Sequence, residues 1–265
     1  MADTFAQKNE QYWTKAADDV HSQEWVHKLQ AQIQAYLTNN GDWIGATITK
    51  DAAGKPTGKL MDYACGNGIV SRSLHKQFGQ LVGVDLAEGM LAKYRGTAND
   101  LGLSESQMMT VQGNLLLEDE QPTKPALSRE QLTNFAVVAI CMALHHVDDI
   151  DLAIKKLAER LRTGGVLLVI DWAKRDAEPA GTGARHSHEH YHHSHGYNQN
   201  GDKIHSHHPA AHTISHDSFT KETIFRLFEQ AGCGDAKFAL ADKLSEVPGA
   251  RSGKMQLFFA RATKF

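Results

Sequence analysis

From Lys59 to Gly68 the chain reads Lys-Leu-Met-Asp-Tyr-Ala-Cys-Gly-Asn-Gly, an apolar run that ends in an acid and passes through a Gly-x-Gly turn into a helical pattern. A strand that breaks at two glycines ahead of a helix reads as a nucleotide-cofactor loop. Gly66 and Gly68 leave the backbone bare where a ligand must come close, and glycine alone takes a positive φ without steric cost. A second apolar run, Leu81-Val82-Gly83-Val84, ends at Asp85, seventeen residues past Gly68. An acid at the tip of the second strand is placed to accept hydrogen bonds from both hydroxyls of a ribose.

Strands and helices alternate from Lys59 onward, which predicts a parallel sheet with helices on both faces. Strands are expected at 59–64, 80–85, 108–112, 135–141 and 165–171. Between them fall helices with Val70, Leu74 and Phe78 on one apolar face, then 87–101, then Ile150, Ile154, Leu157 and Leu161 on another. A short helix is expected near 128–133, with Asp148 as cap of the helix after the fourth strand and Gly164 as its end. Thr220 and Gly232 bracket a last helix, and 234–241 and 254–262 read as two final strands. Upstream, 4–20 and 23–38 form two amphipathic helices stopped at Asn39-Asn40-Gly41, with 45–58 a loop. Residues 1–58 are thus expected to be a helical cap and linker, and 59–265 the cofactor domain.

The glycine loop excludes two common nucleotide motifs. A dinucleotide fingerprint carries a third glycine where this chain has Ser71, and no lysine follows the glycines as a P-loop requires. With Asp62 four residues ahead of Gly66, the stretch resembles motif I of the class I S-adenosylmethionine-dependent methyltransferases, D/E-x-x-x-G-x-G. Val84-Asp85-Leu86-Ala87-Glu88-Gly89-Met90-Leu91 resembles the second motif of that family, and Val111-Gln112-Gly113-Asn114 the third. The run from Ala139 to Asp148 resembles the fourth, and that from Leu161 to Asp171 the fifth.

The resemblance implies an α/β fold, a Rossmann-like doubly wound sheet of seven strands in the order 3-2-1-4-5-7-6 with the last strand antiparallel. It implies S-adenosylmethionine as methyl donor and S-adenosylhomocysteine as product, with no metal required. Asp62 is then expected at the methionine ammonium group, directly or through water, with an acid capping the next helix as the alternative. Ala64, Cys65, Gly66 and Gly68 would offer main chain beside the amino acid and ribose, Asp85 the ribose acceptor, and Leu86 and Met90 the adenine wall. Asn114, with Leu115 beside it, stands where the family usually has an aspartate for the adenine amino group. Its amide oxygen still accepts, though without charge, and a turn asparagine with no ligand is the other reading. Cys141 and Met142 would give carbonyls to the ammonium group or simply pack. Tyr12, beside Trp13 in the first helix, is expected to close over the cofactor.

On the acceptor side, His145 and His146 stand at the mouth of the fourth strand. An alcohol or phenol must lose a proton as it is methylated, a task that suits histidine. A structural role is the alternative, and of the two His146 is placed first as base. Eleven of the sixteen histidines fall in 174–217, an insertion after the fifth strand too polar to build a core of its own. His188, His192 and His195 stand at i, i+4 and i+7, which on a helix suits a transition metal. The other readings are a lid and a solvated loop. His216 is the histidine of this group expected to reach the active site.

At 265 residues, 41% of them hydrophobic, the chain can bury one domain core with a small cap. The first residues have neither the basic head nor the apolar core of a secretory signal. The longest apolar run, Phe135 to Leu144, is ten residues, so no membrane insertion is expected. Cys65, Cys141 and Cys233 lie far apart with no Cys-x-x-Cys, which excludes a disulfide framework and a thiolate zinc site and fits a cytoplasmic setting. A net charge of −3 with no long basic cluster argues against nucleic acid. With no recruitment domain or basic surface, a small-molecule acceptor is preferred. The rivals are a protein-directed methyltransferase and a non-catalytic cofactor- or metal-binding protein that keeps the fold.

Overall fold

In a computed structural model, residues 3–117, 122–174, 210–250 and 252–265 are described. Two helices, α1 (Phe5–Ser22) and α2 (Glu24–Asn39), lead into a four-residue helix α3 (Gly41–Ile44). The chain continues through β1 (Lys59–Tyr63), α4 (Ile69–Leu74), β2 (Gln80–Asp85), α5 (Glu88–Asp100), β3 (Met108–Gln112) and β4 (Phe135–Cys141). It closes with α6 (Ile150–Ala158), β5 (Leu161–Ala173), α7 (Lys221–Gln230), β6 (Cys233–Leu240), β7 (Ser245–Glu246) and β8 (Lys254–Lys264).

The sheet runs β3-β2-β1-β4-β5-β8-β6, with β7 paired to β8. β1 to β5 are parallel, Met61 pairing with Val82 on one side and Val138 on the other. β8 runs antiparallel to both β5 and β6. This is the expected order with one addition, a two-residue strand that the polar stretch after β6 does not announce. Every residue of β4 is buried, as a central parallel strand covered on both faces must be. On one face Val138, Ile140 and Val169 meet Ile154 and Leu157 of α6 and Phe228 of α7. On the other, Leu60, Leu81 and Phe259 meet Val70 of α4, Leu91 of α5 and Leu29, Ile33 and Leu37 of α2.

Three local expectations differ from the fold. Asp149, not Asp148, caps α6, its carboxylate accepting from Leu152 N at 2.9 Å. Residues 128–133 form turns without a helix, Leu132 N donating to Ser128 O and Arg129 O, because the chain must drop into β4 at once. Gly164 lies inside β5, at φ +72, where the β4–β5 register shifts, so it makes a bulge and ends no helix. Asn39-Asn40-Gly41 does stop α2, whose C-cap is Asn40; Gly41 then opens the short α3, which Gly45, left-handed at φ 70, ends.

Candidate active site

The carboxyl ends of β1 and β4 border the point where the strand order reverses, and in the loop after β1 the chain turns three times through the left-handed region. Ala64 has φ 51, Gly66 φ 52 and Gly68 φ 78. The two glycines have different reasons. A methyl group on Gly66 would meet nothing within 4 Å, whereas one on Gly68 would meet the Tyr94 ring at 2.8 Å. Gly66 therefore faces open space in the cavity wall, whereas Gly68, absent from that wall, makes room for Tyr94.

Asp85 ties this loop to the next strand. Its carboxylate accepts from Gly66 N at 3.0 Å and from Ala87 N at 2.9 Å. Burial pushes its carboxyl up to about 6, while the main-chain N–H groups of Ala87, Gly66 and Leu86 pull the other way. A carboxylate has about four acceptor positions, more than these main-chain donors fill, so acceptor capacity remains. Asp62 is arranged differently. It is 1% exposed and absent from the cavity wall, and one of its oxygens accepts from Ser71 N at 3.0 Å and Ser71 Oγ at 2.9 Å. The arrangement present is the alternative one, an acid holding the first turn of the following helix.

A cavity of about 1350 Å³ opens over these strand ends. Ala64, Cys65, Gly66, Asp85, Leu86 and Met90 line it, as do Asn114, Cys141 and Met142. Asn114 Oδ1 is already engaged, by Leu116 N at 3.0 Å and the Tyr63 hydroxyl at 3.2 Å. Leu115 is 2% exposed and packs into the core, so Leu116 faces the cavity in its place. Burial and the nearby Asp85 and Asp62 push the Cys65 thiol well up, which removes it as a nucleophile.

Across the cavity stand His145 and His146, in a 3-10 turn over Leu144–His146, with rings 4.1 Å apart. His145 Nδ1 bonds Asp171 Oδ1 at 2.7 Å, and its main-chain N donates to Asp171 Oδ2 at 3.2 Å. His146 Nδ1 bonds the Thr213 carbonyl at 2.7 Å. Trp13 of α1 closes this side, 5.2 Å from the His146 ring. Its neighbour Tyr12 is turned off the wall and meets His212 edge-on at 4.9 Å, since adjacent residues on a helix point in different directions. His216 also lies off the wall; its ring packs on Phe219 and its main-chain N donates to the His145 carbonyl at 3.2 Å.

Asp171 and Thr213 escaped the sequence reading. Asp171 left a trace, an acid ending the apolar run Val166 to Ile170 at a strand's carboxyl end; Thr213 left none. His186 to His208, and with them the metal and lid readings, lie outside the described residues. Among the described residues no group of three His, Cys, Asp or Glu side chains could hold a metal ion, and no helix is long and apolar enough to cross a membrane.

The profile of a methyltransferase domain matches residues 25–235. An uncharacterized methyltransferase of Schizosaccharomyces pombe is 25% identical over 186 residues, 67% of this chain and 54% of that protein. A ubiquinone biosynthesis O-methyltransferase of Idiomarina loihiensis is 32% identical over 141 residues, 53% of this chain and 48% of that protein. The chain thus spans about half the length of these curated relatives. Magnesium protoporphyrin IX methyltransferase from Synechocystis, solved with bound S-adenosylmethionine, superposes with a TM-score of 0.61 over 100% of this chain and 99% of that one. At 13% identity that likeness speaks for the fold alone.

Proposed function

Because the chain belongs to the class I S-adenosylmethionine-dependent methyltransferase superfamily, we propose that it transfers the methyl group of S-adenosylmethionine to a small-molecule acceptor held in the same cavity. The observation that carries this reading is the Asp85–Gly66 cradle at the floor of a cavity of about 1350 Å³. Single-ligand pockets run to roughly 300–1,000 Å³, so there is room for a donor and a second molecule. A cavity roofed by α1 suits a compact acceptor better than a protein chain. The relative named for ubiquinone biosynthesis supports the same choice.

The residues fit the donor. Bare main chain at Gly66, the free acceptor positions of Asp85 and the apolar sides of Leu86 and Met90 answer to an amino acid, a ribose and an adenine in turn. S-adenosylmethionine, when bound, supplies a methyl group already activated for in-line displacement. The protein's part is to hold the acceptor atom in line at near-attack distance and to exclude water. Calorimetry with S-adenosylhomocysteine tests the reading: wild type binds, and Asp85→Ala loses affinity by tenfold or more, since the ribose hydroxyls lose a charged acceptor. Equal affinity in the two proteins, or no binding by wild type, would overturn it.

A further inference from the structure

We infer that Asp171 is a positioning residue that makes His145 the base of the transfer, and hence that the acceptor is a hydroxyl compound methylated on oxygen. The inference rests on the methyltransferase reading and adds the acceptor atom to it.

The geometry begins in β5. Asp171 is 0% exposed and stands in an apolar strand, yet three N–H groups converge on it. Two come from His145, and the third is Trp172 N at 2.7 Å. The turn carrying His145 is brought there because Met142 N extends the β4–β5 pairing to the Ile170 carbonyl, at 2.8 Å. From the other side Ser215 N and His216 N donate to the His145 carbonyl, at 2.9 and 3.2 Å. Main chain and ring are therefore held independently. A carboxylate only accepts, so Nδ1 carries the hydrogen and Nε2 the lone pair. No described residue bonds Nε2, and the ring lines the cavity.

His146 is the weaker candidate on the same grounds. Its Nδ1 bonds a carbonyl, which fixes the tautomer but offers a neutral dipole where Asp171 offers a charge. The two rings stand with centroids 4.1 Å apart, and the His145 ring is the one whose Nδ1 lies on the buried carboxylate. The preference for His146 drawn from sequence is reversed.

A held base also selects the acceptor. A thiol, with a pKa of about 8.5, is already a few per cent thiolate near neutral pH and intrinsically nucleophilic. The free base of an amine attacks through its lone pair and sheds its proton after the bond has formed. A phenolic or enolic hydroxyl, near pKa ~10 for a phenol against ~6.5 for imidazole, must lose its proton as the new bond forms. The O–H proton passes to His145 Nε2, the oxygen bonds the methyl carbon, and the carbon–sulfur bond breaks with its electron pair left on sulfur. The imidazolium, paired with Asp171, then returns the proton to solvent.

The test uses the full chain labelled with 15N-histidine and saturated with S-adenosylhomocysteine, His145 being assigned by the signal that His145→Gln removes. Long-range 1H–15N spectra are expected to show His145 as the Nδ1–H tautomer in wild type, and Asp171→Asn to mix or reverse it. An Nε2–H tautomer in wild type overturns the inference whatever the acceptor. The matched probes 2-naphthol, naphthalene-2-thiol and 2-naphthylamine, given with labelled S-adenosylmethionine, read the chemistry. The naphthol is expected to be methylated, and Asp171→Asn to lower its kcat about a hundredfold or more with KM little changed. Methylation of the thiol or amine but not the naphthol, or an unchanged kcat, overturns it. Failure of wild type to bind S-adenosylhomocysteine strikes the methyltransferase reading instead, and leaves the tautomer measurement as a separate result.

Discussion

Asp62 shows how a single buried acid can be read two ways. The resemblance places it beside a ligand, because it stands four residues before Gly66 as in motif I. In the fold it is shut inside the sheet, where burial and the charge of Asp85 push its carboxyl up to about 7 and the two Ser71 bonds only partly compensate. An acid whose folded pKa is raised contributes stability that is complete below the unfolded value, near ~3.9, and lost as pH rises through the folded one. The window is therefore about pH 4 to 7. Asp62→Asn keeps an oxygen for Ser71 and removes the titration. Its stability relative to wild type in urea is expected to rise across that window, by on the order of a few kcal/mol. A difference that does not change with pH would mean that Asp62 does not titrate there.

At the scale of elements, local chemistry was legible wherever a bond closes within a few residues. Thr220 caps α7 through Thr223 N at 3.1 Å, and β3 and β4 have the expected bounds. The cap of α6 was misread by one residue because Asp148 and Asp149 are chemically alike, and only the backbone decides which reaches Leu152 N. Asp148 Oδ1 instead accepts from Asp149 N. Thermal unfolding of the two alanine variants separates them. Asp149→Ala is expected to lose ~1 kcal/mol, as a lost cap does, and Asp148→Ala a few tenths at most. Equal losses would return the cap to Asp148.

For the whole molecule, the decisive contact joins residues far apart in sequence. Gly89 sits in the first turn of α5, where glycine weakens a helix by roughly 0.8–1.0 kcal/mol relative to alanine. Its reason is α1: a methyl group there would lie 2.3 Å from the Thr14 carbonyl oxygen. The roof of the cavity, with Trp13 beside Ala17, Ala87 and Met90, depends on that close approach. Gly89→Ala is expected to speed amide exchange across α1 and weaken S-adenosylhomocysteine binding, while exchange in β1 and β4 stays slow. If α1 keeps its protection, the roof does not rest on Gly89.

The sequence by itself determined the alternating fold, the strand order through the resemblance, and the places of Gly66 and Asp85 at two neighbouring strand ends. These follow from apolar periodicity, from the φ only glycine takes freely, and from an acid at a strand end, each a property of a few neighbouring residues. The partner of His145 was not determined there, nor the turning of Tyr12 and His216 away from the cavity, nor the cost hidden in Gly89. Each depends on which main-chain and side-chain atoms approach from another element. Asp171 lies 26 residues from His145, and Thr14 lies on another helix from Gly89. Only the packed sheet, with β5 beside β4 and α1 against α5, brings those atoms within bonding distance.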